Sequence, residues 1–114
     1  LWFPTTYLLI HSFLRFGDAV GPRVSIAAAG GKGRITPHEI AKETANRMIS
    51  IFKRGRDGRR PCFGFYRKFQ EDPHWKECLL FNEYYHGDSG MGLGASHQTG
   101  WSGLVANLID EWRR

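Results

Sequence analysis

The sequence predicts a mainly helical fold with long loops and one short β-hairpin. Three observations carry that expectation. Apolar residues recur at three- and four-residue steps in separate stretches. The tetrapeptide Thr36-Pro37-His38-Glu39 has the form of a helix start. Gly-Asp-Ser-Gly at residues 87–90 follows an aromatic run, as a hairpin turn does. At 114 residues the chain is long enough for one domain with a single core and too short for two of ordinary size, so it is one domain or a piece of one. Hydrophobic residues at 41% and aromatics at 14% argue against disorder. No apolar run approaches the roughly 18 residues that a bilayer span needs, so no membrane association is expected.

The opening segment is aromatic and apolar. Thr5 and Thr6 are candidate N-caps after Pro4, and Leu9, Ile10, Phe13 and Leu14 give residues 7–16 a helical pattern. Gly17-Asp18 would end that helix. Residues 19–35 hold Gly21-Pro22 and Gly30-Gly31-Lys32-Gly33 and read as a long connection with a short extended piece at 23–27. The next helix is the clearest local signal. Thr36 can cap the amide of residue 39, Pro37 suits the first helical position, and Glu39 can reach back to the Thr36 amide. Ile40, Ala41, Thr44, Met48, Ile51 and Phe52 then form one stripe, with Lys42, Glu43, Asn46 and Arg47 facing away. This helix is expected to run about four turns, to the vicinity of Arg54.

Downstream, Glu71-Asp72-Pro73-His74-Trp75 predicts a second capped start, with Asp72 as cap and Pro73 at the first position of a short helix. A strand is expected from Phe81, with Phe81, Glu83 and Tyr85 on one face and Asn82, Tyr84 and His86 on the other. Thr99 is the expected cap of a closing helix through Trp101, Leu104, Val105, Leu108, Ile109 and Trp112, followed by a charged tail. No internal repeat or low-complexity segment is present.

The net charge of +5 comes largely from residues 53–60, which hold five of the sixteen basic residues. Such a run attracts phosphates. It is interrupted by Gly55 and Gly58, lacks interleaved aromatics for base stacking, and follows an apolar helix. A solvated loop that complements the carbonyl end of that helix is favoured over a nucleic-acid site. Cys62 and Cys78 lack the spacing of a zinc site or a disulfide framework, and the five histidines (His11, His38, His74, His86, His97) include no HxxxH pair. No metal or other cofactor is expected. The start has no basic leader or small-residue cleavage site, so a reducing, cytoplasmic location is expected. The chain lacks an initiator Met and opens on Leu-Trp-Phe-Pro, an odd solvent-exposed start for a complete protein, so further sequence upstream is expected.

Glu83 is the leading candidate for chemistry. It lies in an aromatic and apolar run just before a turn, where a carboxylate is costly to desolvate unless it is hydrogen-bonded. By spacing alone it either sits at a site or points to water. The stretch FNEYYHGDSGMGLGASHQTGWSGLVANLI, with WFPTTYLLI and RRPCFGFYRKFQEDPHWKE upstream, resembles the C-terminal signature of glycoside hydrolase family 63 and its bacterial and fungal relatives. The likeness runs through nearly the whole chain and is most specific in the last third.

That resemblance implies the C-terminal part of an (α/α)6 toroid, in an enzyme several times longer, that hydrolyses an α-glucoside or α-mannoside with inversion. In such chemistry one carboxylic acid protonates the leaving oxygen while a carboxylate about 6.5–9.5 Å away activates water. Glu83 matches the family's general base. The general acid, an Asp, has no counterpart here, so the segment alone is expected to be inactive; Asp88 reads as a turn former. On the same implication Gly92 and Gly94 let the backbone pass close to a sugar, and Ser96, His97, Gln98 and Thr99 offer donors and acceptors. Trp2 and Trp101 would offer flat faces to a pyranose or else be core residues. Of Tyr84 and Tyr85, one is a pocket wall and one belongs to the core, and Tyr84 is the binding candidate. The apolar, Ala-rich residues 19–31 depart from the family's polar connection and have no assigned role. The alternative reading is a small basic helical module whose Tyr- and Gly-rich loop binds a protein or nucleic-acid partner.

Overall fold

The computed structural model describes residues 1–31 and 33–112. Lys32 and the expected charged tail at Arg113 and Arg114 lie outside the described residues. The chain is mainly helical. Among the described residues it has five α-helical segments: α1 (Phe3–Val20), α2 (Pro37–Ser50), α3 (Arg67–Glu71), α4 (Thr99–Ser102) and α5 (Val105–Trp112). Two antiparallel ladders accompany them, one more than expected. In the first, β1 (Ile26–Ala27) pairs with β2 (Arg34–Ile35); in the second, β3 (Tyr84–Tyr85) pairs with β4 (Gly92–Leu93). No described helix is long and apolar enough to cross a membrane.

Helix α1 starts earlier and ends later than its pattern predicts. Pro4 occupies the first turn, where no N–H is needed, and Trp2 precedes it as an extended cap residue. Thr5 and Thr6 are therefore not caps. Their hydroxyls donate to the Trp2 carbonyl at 3.2 and 2.9 Å, inside the helix. The helix also runs through Gly17-Asp18 and stops at Gly21, whose φ of 72° suits glycine. Gly17 has a packing role instead. A Cβ there would lie 2.5 Å from the His38 ring, so the absent side chain lets the start of α2 rest on the end of α1. His38 Nε2 is 2.9 Å from Asp18 Oδ1 across the same junction.

The start of α2 is as predicted. Thr36 accepts from the Glu39 amide, and the Glu39 carboxylate accepts from the Thr36 amide at 2.8 Å. These bonds hold the Glu39 carboxyl below its usual range, the backbone bond contributing most. Thr36→Ala removes one partner of this box and should destabilise the fold by about 1 kcal/mol, read as a lower urea midpoint at neutral pH.

Helices α1 and α2 are antiparallel, since Gly17 meets His38 at one end and the Phe3 ring lies 6.0 Å from that of Phe52 at the other. Ala41 and Ala45, both fully buried, allow the close approach, and Met48 fills the space beyond them. Helix α5 runs parallel to α1: Asn107 Nδ2 donates to the Tyr7 hydroxyl at 2.8 Å, and one turn on, Glu111 lies 3.9 Å from His11. Its Val105 and Leu108 join Phe3, Ile10, Phe52, Phe63 and Tyr85 in a single core. The outer side of α1 leaves Leu8, Leu9 and Phe16 about half exposed.

The middle of the chain departs most from expectation. Asp72 does not start a helix. Its carboxylate accepts from the His74 amide at 2.8 Å and residues 73–77 form turns, while the short α3 lies just upstream and ends at Asp72. The basic loop folds over the end of α2, as predicted. Arg60 donates to the Phe52 carbonyl, and Arg54 and Arg60 both bond Glu77, which together hold its carboxyl below the usual range. Buried Gln70 anchors the loop by accepting from the Arg60 amide and donating to the Arg60 and Gly64 carbonyls.

Candidate functional site

The Glu83 region is built from three segments distant in sequence. Leu1 and Tyr85 exchange two backbone bonds of 2.6 and 2.8 Å, which places Trp2 beside Tyr84 as a bridge partner. On its other side Tyr84 pairs with Leu93. Directly opposite residues project to one face, so Trp2, Tyr84 and Leu93 share the outer face of a small three-strand patch. Trp2 is 52% exposed and Tyr84 44%, whereas Tyr85 is 1% exposed on the inner face. The structure thus decides between the tyrosines: Tyr85 is the core residue.

Glu83 itself sits at a bend, and the predicted alternation fails there. Phe81 is half-buried and Tyr85 buried, yet Glu83, expected on the same face, is exposed. The cause is local: the regular ladder begins only at Tyr84, and the Glu83 amide donates instead to the Ala95 carbonyl at 2.8 Å. In return Glu83 Oε2 accepts from the Ala95 amide at 3.4 Å. The carboxylate is held loosely against the loop and faces solvent.

The glycines of that loop serve the chain's own packing. A Cβ at Gly92 would meet the Asn82 carboxamide, and one at Gly94, where φ is 68°, would lie 2.6 Å from the Tyr84 ring and 2.8 Å from Glu83 Oε2. The space expected for a sugar at these glycines is filled by Asn82, Tyr84 and Glu83. Gly87-Asp88-Ser89 forms the turn between β3 and β4, closed by the Gly90 amide donating to the His86 carbonyl at 2.9 Å. Asp88 stands in it as a turn residue.

His97 forms a parallel bridge with Phe81, and the Gln98 amide donates to the Phe81 carbonyl at 2.7 Å. Their exposed side chains lie on the loop that returns past the Glu83 strand. Gln98, not Thr99, is the residue before α4, and Thr99 makes no side-chain cap. The predicted closing helix is broken by a turn at Gly103-Leu104, giving α4 and α5. Trp101 is 39% exposed, so it is not a core residue. The structure brings Trp2, Glu83 and Tyr84 together on adjoining backbone, with His97 and Gln98 linked to the same stretch through Phe81.

Sequence reasoning missed Ser102 and the role of Asn82. Ser102, fully buried, donates to the Asn82 carbonyl, and the Asn82 amide donates to the Tyr85 hydroxyl at 3.0 Å. Both backbone polar groups of Asn82, the residue before Glu83, are thereby tied to the core. Only the long-range fold pairs these residues, and a serine four residues into a helical pattern carries no signal of its own.

Cys62 is buried behind this region and Cys78 exposed; both are free. Burial pushes the Cys62 thiol from 9.0 up to about 11. Tyr85 is raised from 10.0 to about 12, again chiefly by burial. Folded groups that hold their protons more tightly than unfolded ones stabilise the fold fully below the unfolded pKa. That contribution is lost as pH rises through the folded value. Urea midpoints should therefore be level from neutral pH to about pH 9 and fall between about pH 9 and 12. A flat alkaline profile would refute the burial argument.

The largest cavity described lies elsewhere. About 710 Å³ in volume, it is bounded by the β1–β2 hairpin and α2 and lined by Ile26, Ile35, Ile40 and Thr44, with Glu43 and Arg47 paired at its rim. Residues 26–29, which sequence left without a role, form one wall of it.

No family model matches the chain, and no solved structure matches it. The chain is similar to "Uncharacterized protein YMR196W" of Saccharomyces cerevisiae, with 38% identity over 114 residues. That match covers 97% of this chain and 10% of the yeast protein. The chain thus spans about a tenth of the length of the curated relative it matches.

Proposed function

We propose that this chain is the C-terminal part of an inverting α-glycoside hydrolase related to family 63, acting on a glucoside or mannoside with Glu83 as general base. The observation that supports it most is the setting of Glu83. Its side chain is exposed, its carboxylate lies near the Tyr84 ring at Gly94, Trp2 pairs with Tyr84 on the adjoining backbone, and among the described residues the carboxylate accepts one long hydrogen bond. A general base needs such an acceptor lone pair open to water. The aromatic residues on the neighbouring strands suit the apolar faces of a sugar ring, and His97 and Gln98 suit its hydroxyls. The backbone ties from Ser102 and Tyr85 give the base a fixed platform, as a catalytic carboxylate requires.

The toroid is part of the same proposal. The antiparallel α1–α2 pair, with α5 alongside, fits one sector of a ring of alternating helices, and the half-exposed Leu8, Leu9 and Phe16 suit contact with a further helix. The general acid would come from another part of the full-length protein, so the chain alone is inactive in this reading. The test is stereochemical. The full-length protein, given an aryl α-glucoside or α-mannoside and followed by proton NMR, should release the β-anomer first. Initial release of the α-anomer, or no cleavage of either class, would overturn the reading.

A further inference from the structure

Residues 53–77 hold eight basic and four acidic side chains, a net +4 of the chain's +5. Along the sequence the basic loop has no aromatic neighbours, but in the fold it does. Arg59 Nη2 reaches the Gly64 carbonyl at 3.4 Å, and the Gln70 and Glu77 contacts described above lay the loop against residues 63–77. There Phe65, Tyr66 and Trp75 are 68%, 50% and 41% exposed.

These rings form an organised set. Phe65 lies 4.6 Å from Tyr66, and both Tyr66 and Trp75 pack edge-on against Phe69, at 6.2 and 5.7 Å. Phe69 is stacked at 5.6 Å on the buried Phe63, which fixes the group to the core. Cations flank it at both ends, with Arg59 beside Gly64 and Lys68 Nζ 4.8 Å from the Trp75 ring. Among the described residues, Arg56, Arg59 and Lys68 form no ion pair, whereas Arg67 is paired with Glu71.

We propose that this face binds single-stranded nucleic acid, with phosphates at Arg56, Arg59 and Lys68 and bases stacked on Phe65, Tyr66 and Trp75. Unneutralised cations alternating with accessible rings match a polymer that alternates anions with flat apolar groups. A neutral sugar leaves the cations unused. An anionic membrane fits less well, because inserting Trp75 would carry the Lys68 ammonium towards hydrocarbon, whereas beside a phosphodiester that ammonium stays paired. The proposal uses none of the residues assigned to the Glu83 site and does not rest on the hydrolase reading.

The experiment is fluorescence anisotropy of a short labelled oligothymidylate titrated with the full-length protein. Binding should weaken with salt at a log–log slope of about −2, from about 0.7 per cation. Phe65→Ala and Tyr66→Ala should each weaken binding about tenfold without changing that slope, and Tyr66→Phe should retain it. Arg59→Ala should reduce the slope by about 0.7, and Arg15→Ala on α1 should have no effect. Circular dichroism establishes that each variant is folded. Absence of binding, unchanged affinity in the ring variants, or tighter binding to phosphatidylserine vesicles than to the oligonucleotide would overturn the proposal.

Discussion

Glu83→Gln in the full-length protein is expected to lower kcat by roughly 10²–10⁴-fold, the usual contribution of a general base, with KM nearly unchanged. The amide keeps the shape of the side chain and can still accept from the Ala95 amide, the one hydrogen bond of the carboxylate among the described residues. It cannot take a proton from water. The loss should therefore fall on turnover and not on binding. His97→Ala and Gln98→Ala should each cost less, because in this reading they position the loop and the substrate and transfer no proton. Steady-state kinetics on an aryl glycoside separates the cases. Turnover above half of the wild-type value in Glu83→Gln would remove the general-base assignment. A loss in His97→Ala equal to that of Glu83→Gln, with a shifted limb of the pH–rate profile, would transfer the titrating role to His97.

Tyr85→Ala is expected to reduce stability by about 3–5 kcal/mol, the range for deleting a buried aromatic ring. The Tyr85 ring is 1% exposed and lies 5.5 Å from Phe3 and 5.6 Å from Phe52, at the point where α1, the end of α2 and the Glu83 strand meet. A loss of that size is a large share of a domain's net stability. Tyr85→Phe retains the ring and should cost about 1 kcal/mol for the lost hydrogen bond. It also frees the Asn82 amide that the hydroxyl accepts from, so it should loosen the backbone at Glu83 more than it lowers the unfolding midpoint. Urea unfolding measures the first effect, and amide hydrogen exchange at Asn82 and Glu83 the second. An unchanged midpoint in Tyr85→Ala would mean that these aromatic contacts do not hold the segments together.

Local signals were legible where a few neighbouring residues settle the matter. The Thr36–Glu39 box, the apolar stripe of α2, the turn at residues 87–90 and the covering of the α2 terminus by Arg60 all depend on groups within one or two turns of each other. Where distant partners compete, the same signals misled. Gly17 reads as a helix stop but serves the approach of His38, and Asp72 reads as a helix cap but closes a turn. Gly92 and Gly94 read as room for a ligand but make room for Asn82, Tyr84 and Glu83.

By itself the sequence determined that the chain is mainly helical, where α2 begins, and that Glu83 stands in an aromatic stretch before a turn. Only the tertiary structure decided that Tyr85 is inside and Tyr84 outside, that Trp2 lies beside Tyr84, and that Ser102 supports the backbone before Glu83. The physical reason is range. A cap or a helical stripe is set by bonds across three or four residues. The side to which a two-residue strand turns is set by pairing with Leu1 and Leu93 and by the apolar area that Phe3 and Phe52 offer to whichever tyrosine faces them.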